Sequence, residues 1–148
     1  RVSLELGGKS PFVIFPDADL ADAIPSAAMA CFFLSGQNCM AGTRLFVHEK
    51  VLEPVLEGLA QTAAYLKVGP GLDPTTMIGP LVSARQKGRV LEHVEAAAAE
   101  GARLTYAGGV PAGPGHYVAP TVYAGVTPDM RLAREFEDKL LQIVDEAR

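Results

Sequence analysis

Apolar residues alternate with polar ones or form short runs in three places near the start of the chain, which predicts strands. Residues 1–6 alternate, and residues 11–15 form an apolar run with proline on both sides. Such a run is typical of a strand that is buried on both faces. Residues 43–49, rich in β-branched and aromatic side chains, predict a third strand.

Between the second and third of these strands, apolar residues recur at helical spacing. A helix is predicted over residues 20 to about 34, and Asp17 or Asp19 supplies its N-cap. Pro25 falls inside the pattern, where a proline costs about 3 kcal/mol. We therefore expect a kink at Pro25 or a late start of the helix.

Two further helices are predicted downstream. Residues 51–66 carry leucines on one face, with Pro54 in the first turn, where proline is tolerated. A helix over residues 84–100 begins after Ser83 as N-cap and stops at Gly101. Its inward positions are predicted to be Val90, Leu91, Val94 and Ala98.

The second half of the chain continues the alternation. Residues 68–82 are rich in Gly and Pro and predict a loop, while 102–109 and 117–126 predict extended segments. Residues 131–147 have the pattern of an amphipathic helix. The alternation of strands and helices predicts an α/β fold, a mainly parallel sheet flanked by helices.

Composition and charge narrow the function classes. The chain has 148 residues, is 49% hydrophobic and 20% charged, and carries a net charge of -4 without a long run of either sign. One globular domain fits this profile. Nucleic acids and anionic membranes call for clustered Lys and Arg, and no apolar run is long enough to span a bilayer. We therefore expect no nucleic-acid or membrane partner and a cytoplasmic location.

The cysteines are the first candidates for chemistry. Cys31 lies on the apolar stripe of the first helix and is interpreted as core filler, whereas Cys39 follows the small, polar turn Ser35–Asn38. Composition alone makes a lone cysteine more often a buried filler. A turn with unpaired backbone N–H groups can instead present a reactive thiol, so both interpretations of Cys39 stay open.

Other candidate groups are weaker. Glu5 precedes two glycines and could be a carboxylate at the mouth of a site or a solvated surface residue. His48, His93 and His116 have no neighbours that imply a role and are interpreted as structural. The cysteine and histidine spacing predicts neither a metal site nor a disulfide framework, and no G-x-G-x-x-G follows a strand.

Two motifs, "ELGGKSP" from Glu5 and "GQNCMAGTR" from Gly36, resemble those of the NAD(P)-dependent aldehyde dehydrogenase superfamily. Their spacing agrees with that family, and weaker agreement extends over residues 1–135. The resemblance implies that Cys39 is the nucleophile that forms a thiohemiacetal and then a thioester. It also implies that Glu5 is the base for deacylation and that the Cys39 N–H is half of an oxyanion hole.

The resemblance implies further contacts. Leu6 and Gly7 would line the approach of the nicotinamide of NAD or NADP, and Asn38 and Met40 would touch a small aldehyde substrate. The expected activity is oxidation of an aldehyde to a carboxylic acid. An enzyme that transfers the acyl group to CoA is an alternative, but such relatives typically lack the activating glutamate, so Glu5 favours water.

The chain also departs from the family pattern. Residues 1–148 resemble a partial catalytic domain, without the nucleotide-binding domain that the family places before residue 1. Residues 136–140 do not continue the family motif E-I-F-G-P-V. We therefore expect weak dinucleotide binding by this chain and self-association, as in a homo-oligomer, through exposed apolar surface. A non-catalytic or oligomerisation role is the alternative from another class; a cysteine peptidase fits less well, since no histidine is placed for it.

Overall fold

A computed structural model of the protein describes residues 1–4 and 6–134, together with the backbone of residues 141–144. These residues form an α/β fold in which helices pack on both faces of one sheet. In chain order the elements are β1 (Pro11–Ile14), α1 (Leu20–Phe32), β2 (Arg44–Val47), α2 (Leu52–Tyr65), α3 (Ala84–Ala99), β3 (Arg103–Ala107), β4 (Thr121–Ala124), α4 (Arg131–Arg134) and β5 (Leu141–Val144).

The sheet has the strand order β1-β2-β5-β4-β3. All neighbouring pairs are parallel except β3 and β4, which are antiparallel. The predicted fold class is thus confirmed. β4 is buried along its whole length, and its side chains alternate between two cores.

Each face of the sheet has its own apolar core. On one face α1 and α2 pack against β1, β2 and β4, with Leu45, Leu59 and Val122 fully buried. On the other face α3 and α4 pack around Tyr123 and Leu132. The first of these cores fixes the relative position of α1 and β2, and therefore the ends of the segment that joins them.

The predicted helix starts are confirmed by their caps. Asp19 Oδ1 accepts a hydrogen bond from the Ala21 N–H at 2.9 Å, and Ser83 Oγ accepts one from Gln86 N–H at 3.2 Å. Gly101 has φ +90°, which only glycine adopts without strain, and follows α3. The expected late start is wrong, because α1 begins at Leu20 and runs through the exposed Pro25.

The strand predicted over residues 11–15 is confirmed as β1, but the strand predicted over residues 1–6 and the predicted burial of β1 were wrong. Residues 1–4 form no strand, and neither does Leu6. β1 is not buried on both faces: it lies at the edge of the sheet, and Val13 and Phe15 keep more than half of their surface exposed. The apolar run was therefore a poor guide to burial, since among the described residues the helices cover only one face of this edge.

The predicted inward face of α3 is rotated from the observed one. Val90 is buried as predicted, but Leu91 and Ala98 are exposed, and His93 and Ala97 are buried in their place. The buried His93 ring lies 3.5 Å from the Arg131 guanidinium at the contact with α4. The buried face of α3 therefore includes a histidine with a polar contact to α4, which apolar spacing alone does not reveal.

The predicted helix over 131–147 is also wrong. α4 ends at Arg134, and residues 141–144 form β5, hydrogen-bonded to β2 on one side and β4 on the other. The hydrogen bonds that β5 makes to a strand on each side stabilise the extended conformation more than the weak helical pattern favours a helix. Residues 135–140 and 145–148, including the departure from the family motif, lie outside the described residues. None of the described helices is both long and apolar enough to cross a bilayer.

Candidate active site

Cys39 lies on the turn between α1 and β2, and its side chain is exposed. Cys31, eight residues earlier, is fully buried in the core between α1 and α2. Neither of these two cysteines forms a disulfide bond. The structure therefore confirms that Cys31 is core filler and that Cys39 is displayed on a turn, as a reactive thiol has to be.

The backbone before Cys39 is unusual. Leu34, Ser35 and Gly36 have φ angles of 53°, 58° and 67°, so three consecutive residues are left-handed. For a residue with a side chain this conformation costs roughly 1–2 kcal/mol. Two such residues in a row persist only where the surroundings hold them, and this is common at functional sites.

Two side chains supply that support by binding residues 79–82, which we call the strap. Ser35 Oγ donates to the Gly79 carbonyl at 2.6 Å. Gln37 Oε1 accepts from the Val82 N–H at 2.9 Å, and Gln37 Nε2 donates to the Leu34 carbonyl at 3.2 Å. The left-handed turn is thus bonded both to itself and to a segment distant in sequence.

The turn leaves one backbone donor available at the thiol. The Asn38 N–H donates to the Gly36 carbonyl at 2.9 Å, and the Met40 N–H donates to Asn38 Oδ1 at 3.1 Å. Within the described part of the chain, no acceptor takes the Cys39 N–H. An unused N–H beside an exposed thiol is suited to bind an oxygen that becomes negatively charged when the thiol attacks a carbonyl.

Residues 6–10 lie against the other side of this turn. Ser10 Oγ donates to the Cys39 carbonyl at 3.4 Å, and Gly8 packs against the same carbonyl. Leu6 and Gly7, just before this contact, are exposed. Glu5 lies outside the described residues, so its predicted place beside the thiol stays a prediction.

Lys9 and Arg44 anchor this segment. The buried Lys9 donates from Nζ to the Leu132 carbonyl, which links it to α4. Arg44 Nε donates to the Lys9 carbonyl at 2.9 Å, which links it to β2. The approach to Cys39 is therefore fixed to the sheet and to α4 at once.

The remaining predicted site residues flank the thiol. Met40 is 73% exposed, and Asn38 is half-buried with its side-chain oxygen used in the turn. No described hydrogen bond joins a histidine to Cys39: His48 Nδ1 accepts from the Lys50 N–H, and the His116 carbonyl accepts from Leu81. Among the described residues, no group of acidic, cysteine and histidine side chains could hold a metal ion.

The sequence of this chain is similar to those of known proteins. The sequence profile of the aldehyde dehydrogenase family matches residues 1–136, nearly the whole chain. The chain belongs to the aldehyde dehydrogenase family. It is 49% identical over 135 residues to a betaine aldehyde dehydrogenase of Cereibacter sphaeroides; the match covers 91% of this chain and 28% of that protein.

Solved aldehyde dehydrogenase structures have the same fold. The NAD+ complex of an aldehyde dehydrogenase from Bacillus cereus has a TM-score of 0.91 and 40% identity, covering 100% of this chain and 30% of that one. A cysteine-to-alanine mutant of an aldehyde dehydrogenase from Pseudomonas syringae, complexed with NAD+ and octanal, has a TM-score of 0.89 and 37% identity, covering 97% of this chain and 30% of that one.

Three residues that lie in the turn before Cys39 or pack against Cys39 had no predicted role: Gly8, Ser35 and Gln37. Gly8 and Gln37 stand inside the motifs, which could have drawn attention to them. Their partners are far away in the sequence, so nothing near them indicates which atoms they contact. The contact of Ser35 with Gly79 is invisible for the same reason.

Proposed function

We propose that this chain carries the nucleophile of an aldehyde-oxidising site and that Cys39 is that nucleophile. The observation that carries the proposal is the exposed Cys39 thiol after a left-handed turn, next to its own N–H, which no acceptor takes among the described residues. The family membership supplies the reaction class. Oxidation of an aldehyde to a carboxylic acid needs a thiol nucleophile, an oxyanion site, a hydride acceptor and a base for water.

The first step is addition. The Cys39 thiolate attacks the aldehyde carbon, a C–S bond forms, and the electrons of the C=O bond move to the oxygen. The Cys39 N–H donates to that oxygen and stabilises its charge. Asn38 holds the turn in shape through its side-chain oxygen, and Met40 borders the substrate because it is exposed beside the thiol.

The second step removes a hydride, with its electron pair, from the thiohemiacetal carbon, and the C=O bond re-forms as a thioester. NAD or NADP supplies the hydride acceptor when bound. Leu6 and Gly7 fit the approach of its nicotinamide: Leu6 is 70% exposed and Gly7 offers bare backbone next to the Gly8–Cys39 contact. Most other dinucleotide contacts are proposed to lie outside these residues.

The third step is hydrolysis. Glu5 takes a proton from water, the oxygen adds to the thioester carbon, and collapse releases the carboxylic acid and the Cys39 thiolate. Glu5 is therefore the residue that acts in deacylation. Betaine aldehyde and octanal, in the names of similar proteins, indicate that the substrate is a small aldehyde.

We also propose a cellular location and an oligomeric state for this protein. Cys31 and Cys39 are not joined in a disulfide, which fits a reducing compartment, the cytoplasm. The exposed edge strand β1 and the exposed apolar Phe15 favour self-association, as in a homo-oligomer. Sedimentation at several protein concentrations tests the second point, and a single monomeric species at all of them would contradict it.

Ester hydrolysis tests the site without a hydride acceptor. The purified protein is expected to turn over an activated phenyl ester, with loss of turnover in Cys39→Ala and retention in the control Cys31→Ala. Glu5→Gln should keep the acylation burst and slow the steady state. Turnover that survives Cys39→Ala would refute the assignment, and no turnover in the unmodified protein would favour a non-catalytic role. Titration calorimetry with NAD and NADP measures how much cofactor binding this chain provides.

A further inference from the structure

The strap of residues 79–82 is fixed independently of the turn. Ile78, just before it, is buried in the core of α1 and α2 and pairs with Val68 in a parallel bridge. Leu81 is buried in the core of α3, and its N–H donates to the His116 carbonyl at 2.9 Å. Ser83 directly after the strap caps α3. The strap is therefore anchored in both cores.

The turn has weaker support of its own. Within it, the Gln37 N–H donates to the Leu34 carbonyl at 3.1 Å and the Asn38 N–H to the Gly36 carbonyl. Neither bond reaches the sheet or a helix. The bonds of Ser35 and Gln37 to Gly79 and Val82 are thus the described links that hold the left-handed turn on the anchored strap.

Gln37 uses both ends of its amide in this arrangement. The side-chain oxygen accepts from the Val82 N–H, and the side-chain nitrogen donates to the Leu34 carbonyl. Only a side chain with both an acceptor and a donor at that distance can make both bonds. A glutamate would keep the bond to Val82 but would face the Leu34 carbonyl with a second negatively polarised oxygen.

Gln37 is also close to the thiol along the chain. Asn38 follows it, and its side-chain oxygen and carbonyl accept from the N–H groups of Met40 and Ala41, the two residues directly after Cys39. We propose that Gln37, assisted by Ser35, is a positioning residue that clamps the nucleophile turn to the strap and thereby fixes where the Cys39 thiol and its N–H point. This inference rests on the proposed function of Cys39.

The test compares Gln37→Glu and Gln37→Ala with a matched control, Gln61→Glu. Gln61 is exposed on α2, where its side chain bonds only to the nearby Glu57 among the described residues. Ester turnover per folded molecule is measured, with the cofactor omitted. We expect kcat to fall about tenfold in both Gln37 variants while KM stays within about twofold, since the ground-state contacts of the ester are untouched. Gln61→Glu should match the unmodified protein.

Amide hydrogen exchange reports on the clamp itself. Protection of the Val82 N–H should be lost in Gln37→Ala and kept in Gln37→Glu, because a carboxylate still accepts that bond. Ser35→Ala cuts the other link and should lower kcat in a protein that keeps the Val82 bond. A variant that only loses stability keeps its kcat per folded molecule. A purely structural role of Gln37 therefore predicts that kcat does not change.

The inference is overturned if kcat in both Gln37 variants equals that of Gln61→Glu while exchange shows that Val82 has been released in Gln37→Ala. If the unmodified protein has no Cys39-dependent turnover, the proposed function fails, and the clamp is then judged from the rate of Cys39 alkylation by iodoacetamide. Rates that change in the Gln37 variants but not in Gln61→Glu support it; equal rates in all of them overturn it.

Discussion

Gly8 and Cys39 pack backbone against backbone: a β-carbon built on Gly8 would lie 2.5 Å from the carbonyl oxygen of Cys39. Real β-carbons essentially never come that close to another atom. Since the obstacle is backbone and not the end of a flexible side chain, either residue 8 or the nucleophile turn would have to shift. The glycine therefore fixes how closely the approach segment can lie beside the thiol.

Gly8→Ala should displace the turn and slow the chemistry of Cys39. A misplacement of about 1 Å can cost about 100-fold in rate, and we expect ester turnover to fall by that order. The matched control is Gly71→Ala, because a β-carbon there would meet nothing within 4 Å. Equal turnover in the two variants would show that the turn tolerates the added carbon.

Alkylation should separate the two cysteines. Cys39 is exposed and Cys31 is fully buried, so iodoacetamide should label Cys39 in the folded protein and Cys31 only after denaturation. Peptide mass spectrometry at a series of times measures both rates. Labelling of Cys31 as fast as Cys39 under native conditions would contradict the described core.

Tyr123 should make stability depend on alkaline pH. Its hydroxyl donates to the Val94 carbonyl at 3.0 Å, and burial raises the pKa of the phenol. Because the folded pKa is raised, the stabilisation is complete below the ordinary pKa of about 10 and is lost as pH rises through the folded value. Tyr123→Phe should cost about 1 kcal/mol at neutral pH.

Urea unfolding of both proteins between pH 7 and 11 checks this. The difference in unfolding free energy between the unmodified protein and Tyr123→Phe should shrink at the alkaline end. A difference that is constant with pH would mean that the phenol ionises equally in the folded and unfolded states.

Asp73 should make the stability of the protein depend on acidic pH. Lys67 Nζ donates to its carboxylate at 2.8 Å, and Thr75 donates to it from both N–H and hydroxyl. These bonds, that of Lys67 first, hold the pKa of Asp73 well below its usual range. A lowered pKa means that the stabilisation is present above the ordinary carboxyl pKa of about 3.9 and is lost as pH falls through the folded value.

Asp73→Asn removes the charge and the oxygen that accepts from Lys67, while its amide oxygen can still accept from the Thr75 N–H. The variant should unfold at a lower temperature than the unmodified protein at pH 7. This difference in unfolding temperature should become steadily smaller below pH 4. Added salt should narrow it too, since the Lys67–Asp73 pair is exposed. A difference in unfolding temperature that changes with neither pH nor salt would exclude the ion pair as its cause.

Local chemistry made part of the fold predictable from the sequence. Asp19 and Ser83 act on N–H groups two or three residues away, so the residue types around each helix start were enough to predict both caps. The burial of β1 and the inward face of α3 could not be predicted, because they depend on which elements pack where. His93 is buried where Leu91 was predicted to be, and its polar contact is with Arg131, which lies 38 residues further along the chain.

The candidate site, too, could be predicted from the sequence only in part. The motif around Cys39 indicated a nucleophile, and its exposure on a turn agrees with that. The contacts of Gln37 could not be predicted, since Val82 is 45 residues away and only its backbone is used. A backbone partner leaves no signature in the identity of the residue that supplies it.

The position of β5 has a consequence for how this protein is made. It is the latest of the described strands in the sequence, yet it lies in the middle of the sheet, between β2 and β4. Without residues 141–144, the described ladders β1–β2 and β4–β3 would have no strand between them. Translation therefore has to reach this late segment before the described sheet can close.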